Sequence, residues 1–218
     1  MGEALRPGQG RSGGALMFYW FVKAIFFPFA HLYLGMTRDG LEHLPRRGPA
    51  IVVSNHTSYV DAIILGTAAP RPIHFLVLQW MYDLLLIRWF YWGMGTIAVS
   101  GEGRDSKGIK RALRLLASGR VLGVFPEGSR SADGTLSEPR LGAAMIAALS
   151  GAPVVPAFID GARDSLPVGD FFPKPARIHV RFGRPLRFDK GRDGGGREAL
   201  GAFSQQMLEA IRRLEPSA

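Results

Sequence analysis

The run Asn55-His56-Thr57-Ser58-Tyr59-Val60-Asp61 sets an imidazole and a carboxylate five positions apart, directly after the apolar segment 50–54. On a continuous helix five residues turn through about 500°, so the pair would not share a face. They meet only if His56 sits in a strand-to-helix turn and Asp61 in the first turn of the helix, a geometry for which Thr57 and Ser58 are good caps. A carboxylate bonded to one imidazole nitrogen fixes the tautomer and leaves the other nitrogen free to act as a general base. The same residues admit a local reading. Ser58-x-x-Asp61 has the form of a capping box, in which Asp61 only favours the helix N-terminus.

A second polar block, Pro126-Glu127-Gly128-Ser129-Arg130-Ser131, follows the apolar run 121–125. Pro126 and Gly128 force a turn, Arg130 can grip a phosphate bidentately, and the backbone N–H groups of such a turn add donors. A plain solvated turn with a Glu127–Arg130 ion pair is the alternative.

Other chemistries lack their residues. The chain has no cysteine, which excludes thiolate catalysis, disulfides and cysteine-held metal or iron–sulfur centres. Gly101-x-Gly103 follows a strand-like run, but Ser106 stands where the dinucleotide fingerprint needs a third glycine. There is no Gly-Lys-Ser/Thr phosphate loop and no Gly-x-Ser-x-Gly elbow. The five histidines, His31, His43, His56, His74 and His179, show no metal-ligand spacing. No nucleic-acid reading motif is present, and the aromatics lie in apolar runs rather than among the basic residues.

The elements that must position these blocks alternate. Short apolar runs at 50–54, 73–78, 96–99, 121–125 and 154–159 read as buried strands. Segments 106–118 and 141–150 read as helices, each closed by a glycine at the C-terminal cap, Gly119 and Gly151. Residues 178–182 alternate as a half-exposed strand, and Leu200, Phe203, Met207, Ile211 and Leu214 mark an amphipathic C-terminal helix. Strand–helix alternation over 218 residues predicts one α/β domain with a mostly parallel central sheet flanked by helices. Ligands of such sheets bind at the carboxyl ends of strands, where Asn55–Ser58, 100–104, 126–130 and Asp160-Gly161 all fall.

Residues 1–14 are Gly-rich and polar and read as a disordered tail. Residues 15–36 are dense in aromatics but interrupted by Lys23, Pro28 and His31, which favours an interfacial or shallowly inserted helical anchor over a span. The α/β domain then covers 37–218. In 75–92, Asp83 and Arg88 argue against a span; after the strand 73–78 the rest reads as one helix with three aromatics at its end, and core packing and membrane contact are both open readings of it. The charge balance, 27 basic against 18 acidic residues or +9, favours anionic partners.

Together these blocks resemble the glycerolipid acyltransferase family. His56 and Asp61 look like its His-x4-Asp block, Gly95-Thr96-Ile97-Ala98-Val99 its second block, Phe125–Ser131 its third, and Val154-Val155-Pro156-Ala157 its fourth. The lead-in Gly40-Leu41-Glu42-His43-Leu44-Pro45 is also similar, and all four blocks occur in order over about residues 35–190. The resemblance implies that His56 is the general base and Asp61 its orienting partner. It implies that Glu127, Gly128, Ser129 and Arg130, with Arg104 from the second block, bind the acceptor's glycerol phosphate. Pro156 falls in the block linked to the acyl-binding region, and Asn55 and Arg140 are additional candidates.

Two departures stand out. Ser100-Gly101-Glu102-Gly103 precedes Arg104, so Lys107 could substitute for it, and Pro139-Arg140 replaces a lysine after the third block. The implied reaction transfers a fatty acyl chain from acyl-CoA or acyl carrier protein to the sn-2 hydroxyl of 1-acyl-glycerol 3-phosphate. It needs no cofactor and no metal. The oxyanion donors would be backbone amides near Gly128. The implied partners are the lysophospholipid, the thioester donor and a membrane surface, with no nucleic acid, and the implied place is the cytoplasmic face of the bacterial inner membrane. An acyltransferase acting on lyso-ornithine lipid or another lysophospholipid, and a non-catalytic membrane-surface binding module, are the alternatives.

Overall fold

The computed structural model describes residues 13–101, 105–131, 134–167, 170 and 172–216. The predicted tail, 1–14, lies almost wholly outside them, and Gly13 and Gly14 already belong to the first helix.

Among the described residues seven strands form one sheet: β1 Thr37–Asp39, β2 Ala50–Ser54, β3 Ile73–Leu78, β4 Ile97–Val99, β5 Val121–Val124, β6 Val154–Asp160 and β7 His179–Phe182. Their order is β1-β7-β6-β2-β5-β3-β4. Every neighbouring pair is parallel except β6 with β7. The helices are α1 Gly13–Pro28, α2 Asp61–Ala68, α3 Gln79–Tyr82, α4 Leu85–Gly93, α5 Ser106–Ala117, α6 Leu141–Ser150, α7 Ala162–Ser165, α8 Lys190–Asp193 and α9 Arg197–Arg212. The mostly parallel α/β architecture read from the alternation is the one observed.

The central strand explains the layers. In β2, Ala50 and Val52 face one apolar cluster, together with Leu65 of α2 and Ile159 of β6. Ile51 and Val53 face the other, together with Leu116 of α5, Ile146 of α6 and Phe203 of α9. All five β2 residues are buried, as a strand covered on both faces requires.

Helix α1 continues through a π-helical turn, Phe29–Tyr33. It docks by few contacts. Tyr19 is buried, donates to the Gly66 carbonyl at 3.3 Å and accepts the Ile73 N–H at 3.1 Å. A Cβ on Gly66 would stand 3.1 Å from that hydroxyl, so the close approach favours glycine. Lys23 donates to the Gly66 carbonyl at 3.3 Å and to that of Ala69, and Arg38 donates to that of Ala68 at 2.5 Å. Two cations thus satisfy the orphan carbonyls at the C-terminus of α2, where the helix dipole favours positive charge.

Two elements differ from the sequence reading. Residues 79–92, read as one helix, form α3 and α4 with a break at Asp83 and Leu84. Strand β1 has no apolar signature. It is held from outside, by pairing with β7 and by Thr37 and Asp39 on either side of His179, at 2.8 and 2.6 Å.

Candidate active site

Asp61 is the first residue of α2 and is fully buried. Its Oδ2 accepts three donors: His56 Nδ1–H at 2.8 Å, the Thr57 N–H at 2.7 Å and the Ser58 N–H at 2.8 Å. Thr57 and Ser58 therefore do not cap the helix with their hydroxyls. Their backbone amides are capped by Asp61, while the Ser58 hydroxyl donates to the Leu166 carbonyl at 2.7 Å. The capping and histidine-pairing readings of Asp61 are both satisfied by one oxygen. Its other oxygen, Oδ1, is buried with no hydrogen-bond partner among the described residues.

The pairing leaves Nε2 as the ring nitrogen able to take a proton. The imidazole stacks on Phe125 at 4.0 Å between centroids and 12° between planes, and Phe125 lies 5.7 Å from Phe75. Rotation of the ring is thereby blocked on one face by an aromatic at the end of the β5 run.

The backbone of His56 is held as firmly as its ring. Its N–H donates to Glu127 Oε1 at 3.2 Å, and its carbonyl accepts the Ser131 N–H at 2.8 Å. Glu127 is buried, and its Oε2 accepts the Ser137 N–H at 2.9 Å. Burial pushes the Glu127 carboxyl above its ordinary range, against the pull of the Ser137 and His56 amides and of the His56 charge. Both oxygens of Glu127 are thus engaged in joining the loops that follow β2 and β5.

Gly128 and Ser129 are exposed at the turn, with Gly128 at φ +73°. The Gly128 N–H donates to the Phe125 carbonyl at 3.1 Å, so that amide closes the turn instead of serving as an oxyanion donor. The Arg130 guanidinium carbon lies over the Tyr59 ring, 3.9 Å from its centroid. A guanidinium over an aromatic face can still offer its N–H groups to a bidentate anion. Arg140 precedes α6, and a Cβ on Gly128 would meet its Nε at 2.6 Å. Its guanidinium donates to the Gly101 carbonyl at 3.1 Å and so bridges the second and third blocks. Arg104 lies outside the described residues.

Two predicted residues stand apart from this cluster. Asn55 is buried and pairs both ways with the Ile159 backbone, donating at 2.9 Å and accepting at 2.8 Å, which extends the β2–β6 ladder by one step. Pro156 is buried within β6 in register with Val53. The Asp160-Gly161 junction opens onto a polar cleft of about 580 Å³, lined also by Asn55, Arg163 and Arg212, and His56 is not on its wall. Among the described residues no cluster of His, Asp and Glu has the form of a metal site. Tyr59 and Phe125 were not singled out from sequence; each meets its partner across about 70 positions.

The sheet order, with a histidine–aspartate pair at its carboxyl edge and arginines beside it, defines the class: an α/β fold whose polar site is built from strand-end loops. Residues 36–160 match the model of the family described as Acyltransferase, and the chain belongs to that family. It is similar to "1-acyl-sn-glycerol-3-phosphate acyltransferase" of Bacillus subtilis, 27% identical over 175 residues covering 80% of this chain and 85% of that protein. It is 34% identical over 134 residues to the chloroplastic "1-acyl-sn-glycerol-3-phosphate acyltransferase LPAT1" of Arabidopsis thaliana, covering 60% of this chain and 37% of that protein. The fold is shared with the crystal structure of the 1-acyl-sn-glycerophosphate acyltransferase PlsC of Thermotoga maritima, at TM-score 0.74 and 23% identity over 95% of this chain and 82% of that one.

Proposed function

We propose that this chain transfers a fatty acyl group from a thioester, acyl-CoA or acyl carrier protein, to the sn-2 hydroxyl of 1-acyl-glycerol 3-phosphate. The observation that carries the reading is the 2.8 Å bond from His56 to a fully buried Asp61. It supports a reading of the imidazole as a base at the carboxyl edge of the sheet. Named relatives with this activity support the acceptor.

In this scheme His56 Nε2 takes the proton of the acceptor hydroxyl as its oxygen attacks the thioester carbonyl. The tetrahedral intermediate collapses with cleavage of the C–S bond, and the imidazolium returns the proton to the leaving thiolate. A positioned base supplies roughly 10²–10⁴-fold for such a step. No covalent enzyme intermediate is needed, because the thioester is already activated. Asp61 stabilises the imidazolium, Arg130 on its Tyr59 platform takes the phosphate together with Arg140, and Glu127 positions His56 from behind; the resemblance adds Arg104 to the phosphate-binding set. No cofactor and no metal take part.

The acceptor resides in lipid, and α1 supports attachment there. The window Leu16–Tyr33 has mean hydropathy 1.3 and is long and apolar enough to cross a membrane, with only 17% of it buried in the protein. Tyr19 and Lys23 tie the helix flank to α2, so we read α1 as lying along a bilayer surface on the cytoplasmic side, where both donors occur. An acyl-transfer assay in mixed micelles with lysophosphatidic acid and palmitoyl-CoA or palmitoyl carrier protein tests the reading. Phosphatidic acid is the expected product. Thioester consumption only with another lysolipid would move the acceptor, and no transfer to any lysolipid by folded protein would refute the reaction.

A further inference from the structure

Helix α4 has two faces of opposite character. Its inner side is half-buried at Tyr91, where burial pushes the phenol's pKa up against the charge of Arg130. Its outer face repeats apolar groups at i, i+4 and i+7: Leu85, Trp89 and Trp92, exposed by 82%, 61% and 56%. Trp80 of α3 and Leu84 at the break extend this stripe and are 62% and 47% exposed. Large apolar side chains this exposed and this close in sequence mark a contact surface, not scattered surface residues.

The stripe adjoins the exposed face of α1. Phe18 of α1 meets Trp89 edge-on at 5.9 Å, and its ring sits where a Cβ of Gly93 would be, at 2.4 Å. Around that junction Trp20, Phe21 and Ile25 of α1 are also exposed. Three features select a bilayer as the occupant over a second copy of the chain. Tryptophans predominate, and their rings favour the headgroup boundary. Arg88 lies exposed beside the stripe, placed to reach lipid phosphates, within a chain of net charge +9. The segment also leaves β3 at the carboxyl edge of the parallel sheet, the edge that carries the site loops.

We propose that the outer face of α3 and α4, with Trp80, Leu84, Leu85 and Trp89, is a second lipid-contacting surface beside α1. It sets the mouth of the His56–Arg130 site at headgroup level, so that a lysolipid can reach Arg130 with its phosphate while its acyl chain stays in the leaflet. This rests on the membrane reading of α1 given above, but its test does not require catalysis.

The absence of cysteine makes a unique reporter simple to install. Full-length protein carrying Leu85→Cys is labelled with an environment-sensitive nitrobenzoxadiazole dye. The control is Leu149→Cys, at an exposed position on α6. Vesicles of phosphatidylcholine and phosphatidylglycerol are added, and sedimentation is followed in parallel. The label at 85 should brighten severalfold, shift to the blue and be quenched by lipids brominated on their acyl chains, while the label at 149 should not change. A solvent-like label at 85 on sedimenting protein overturns the proposal, as does a failure to sediment. A label at 85 already shielded without lipid, in a concentration-dependent manner, assigns the face to a second copy and also overturns it. Lipid burial at 85 without acyl transfer would sink only the catalytic reading; transfer without burial would sink only this one.

Discussion

Glu127 holds the main chain of His56, its Oε1 accepting the histidine N–H at 3.2 Å, while the other oxygen accepts from Ser137. A residue expected from the resemblance to bind phosphate therefore has both oxygens turned towards backbone amides, and a carboxylate would in any case repel a phosphate dianion. Its consequence for catalysis runs through the position of the imidazole.

Glu127→Ala should accordingly lower kcat more than it raises KM for the lysolipid. Two amides lose their acceptor, and leaving a buried donor unpaired costs about 1–3 kcal/mol. A kcat loss of roughly 10–100-fold with KM within about threefold is expected, and Glu127→Gln should retain an intermediate rate. A rise in KM with unchanged kcat would return Glu127 to direct phosphate binding.

Asp61→Asn tests the pairing itself. The amide can present its N–H to His56 Nδ1 and so favour the tautomer with Nε2 protonated, which cannot act as base. A fall in kcat on the order of 10²–10⁴-fold is expected, with lysolipid binding preserved. Because Asp61 also caps the Thr57 and Ser58 amides, a stability loss of about 1–2 kcal/mol should accompany it. Circular dichroism and denaturant titration separate the two effects.

Much of this site was legible in the chain. Strands β2 and β3 and helix α6 coincide with the runs read for them, because a strand buried on both faces and a helix closed by Gly151 leave local marks. The meeting of His56 and Asp61 follows from spacing plus a turn. Strand β1 is different: three polar residues become a strand only when β7 arrives beside them. The same holds for Glu127 on His56 and Arg130 on Tyr59, each 71 positions apart. Nothing local tells a solvated turn glutamate from a buried brace.

Tyr59 and Arg130 make a graded series. Arg130→Ala should raise KM for the lysolipid about 10–100-fold, the loss of a charge-assisted contact worth roughly 1.5–3 kcal/mol. Tyr59→Phe should be near neutral, since the ring face suffices. Tyr59→Ala should cost about 0.5–1 kcal/mol, a two- to fivefold rise in KM. Steady-state kinetics over all three variants checks the order.

Lys23 gives a pH signature. Burial, then the charge of Arg38, pushes its ammonium down from 10.5 to about 8. Between those values the unfolded chain holds a proton that the folded chain has released. The Lys23 contribution to stability therefore rises with pH through that window and is at its least below about pH 8. In detergent, wild type should gain stability relative to Lys23→Met from pH 7.5 to 10 in denaturant titrations; a constant difference would contradict the burial of the ammonium against α2.

Single-turnover acyl transfer tests whether His56 is the base. Wild type and His56→Ala are mixed in excess over palmitoyl thioester with saturating lysophosphatidic acid, with folding and lysolipid binding confirmed for both. The variant should bind the acceptor normally but form phosphatidic acid at least about 10²-fold more slowly. Transfer by His56→Ala at a rate within a few fold of wild type would contradict it.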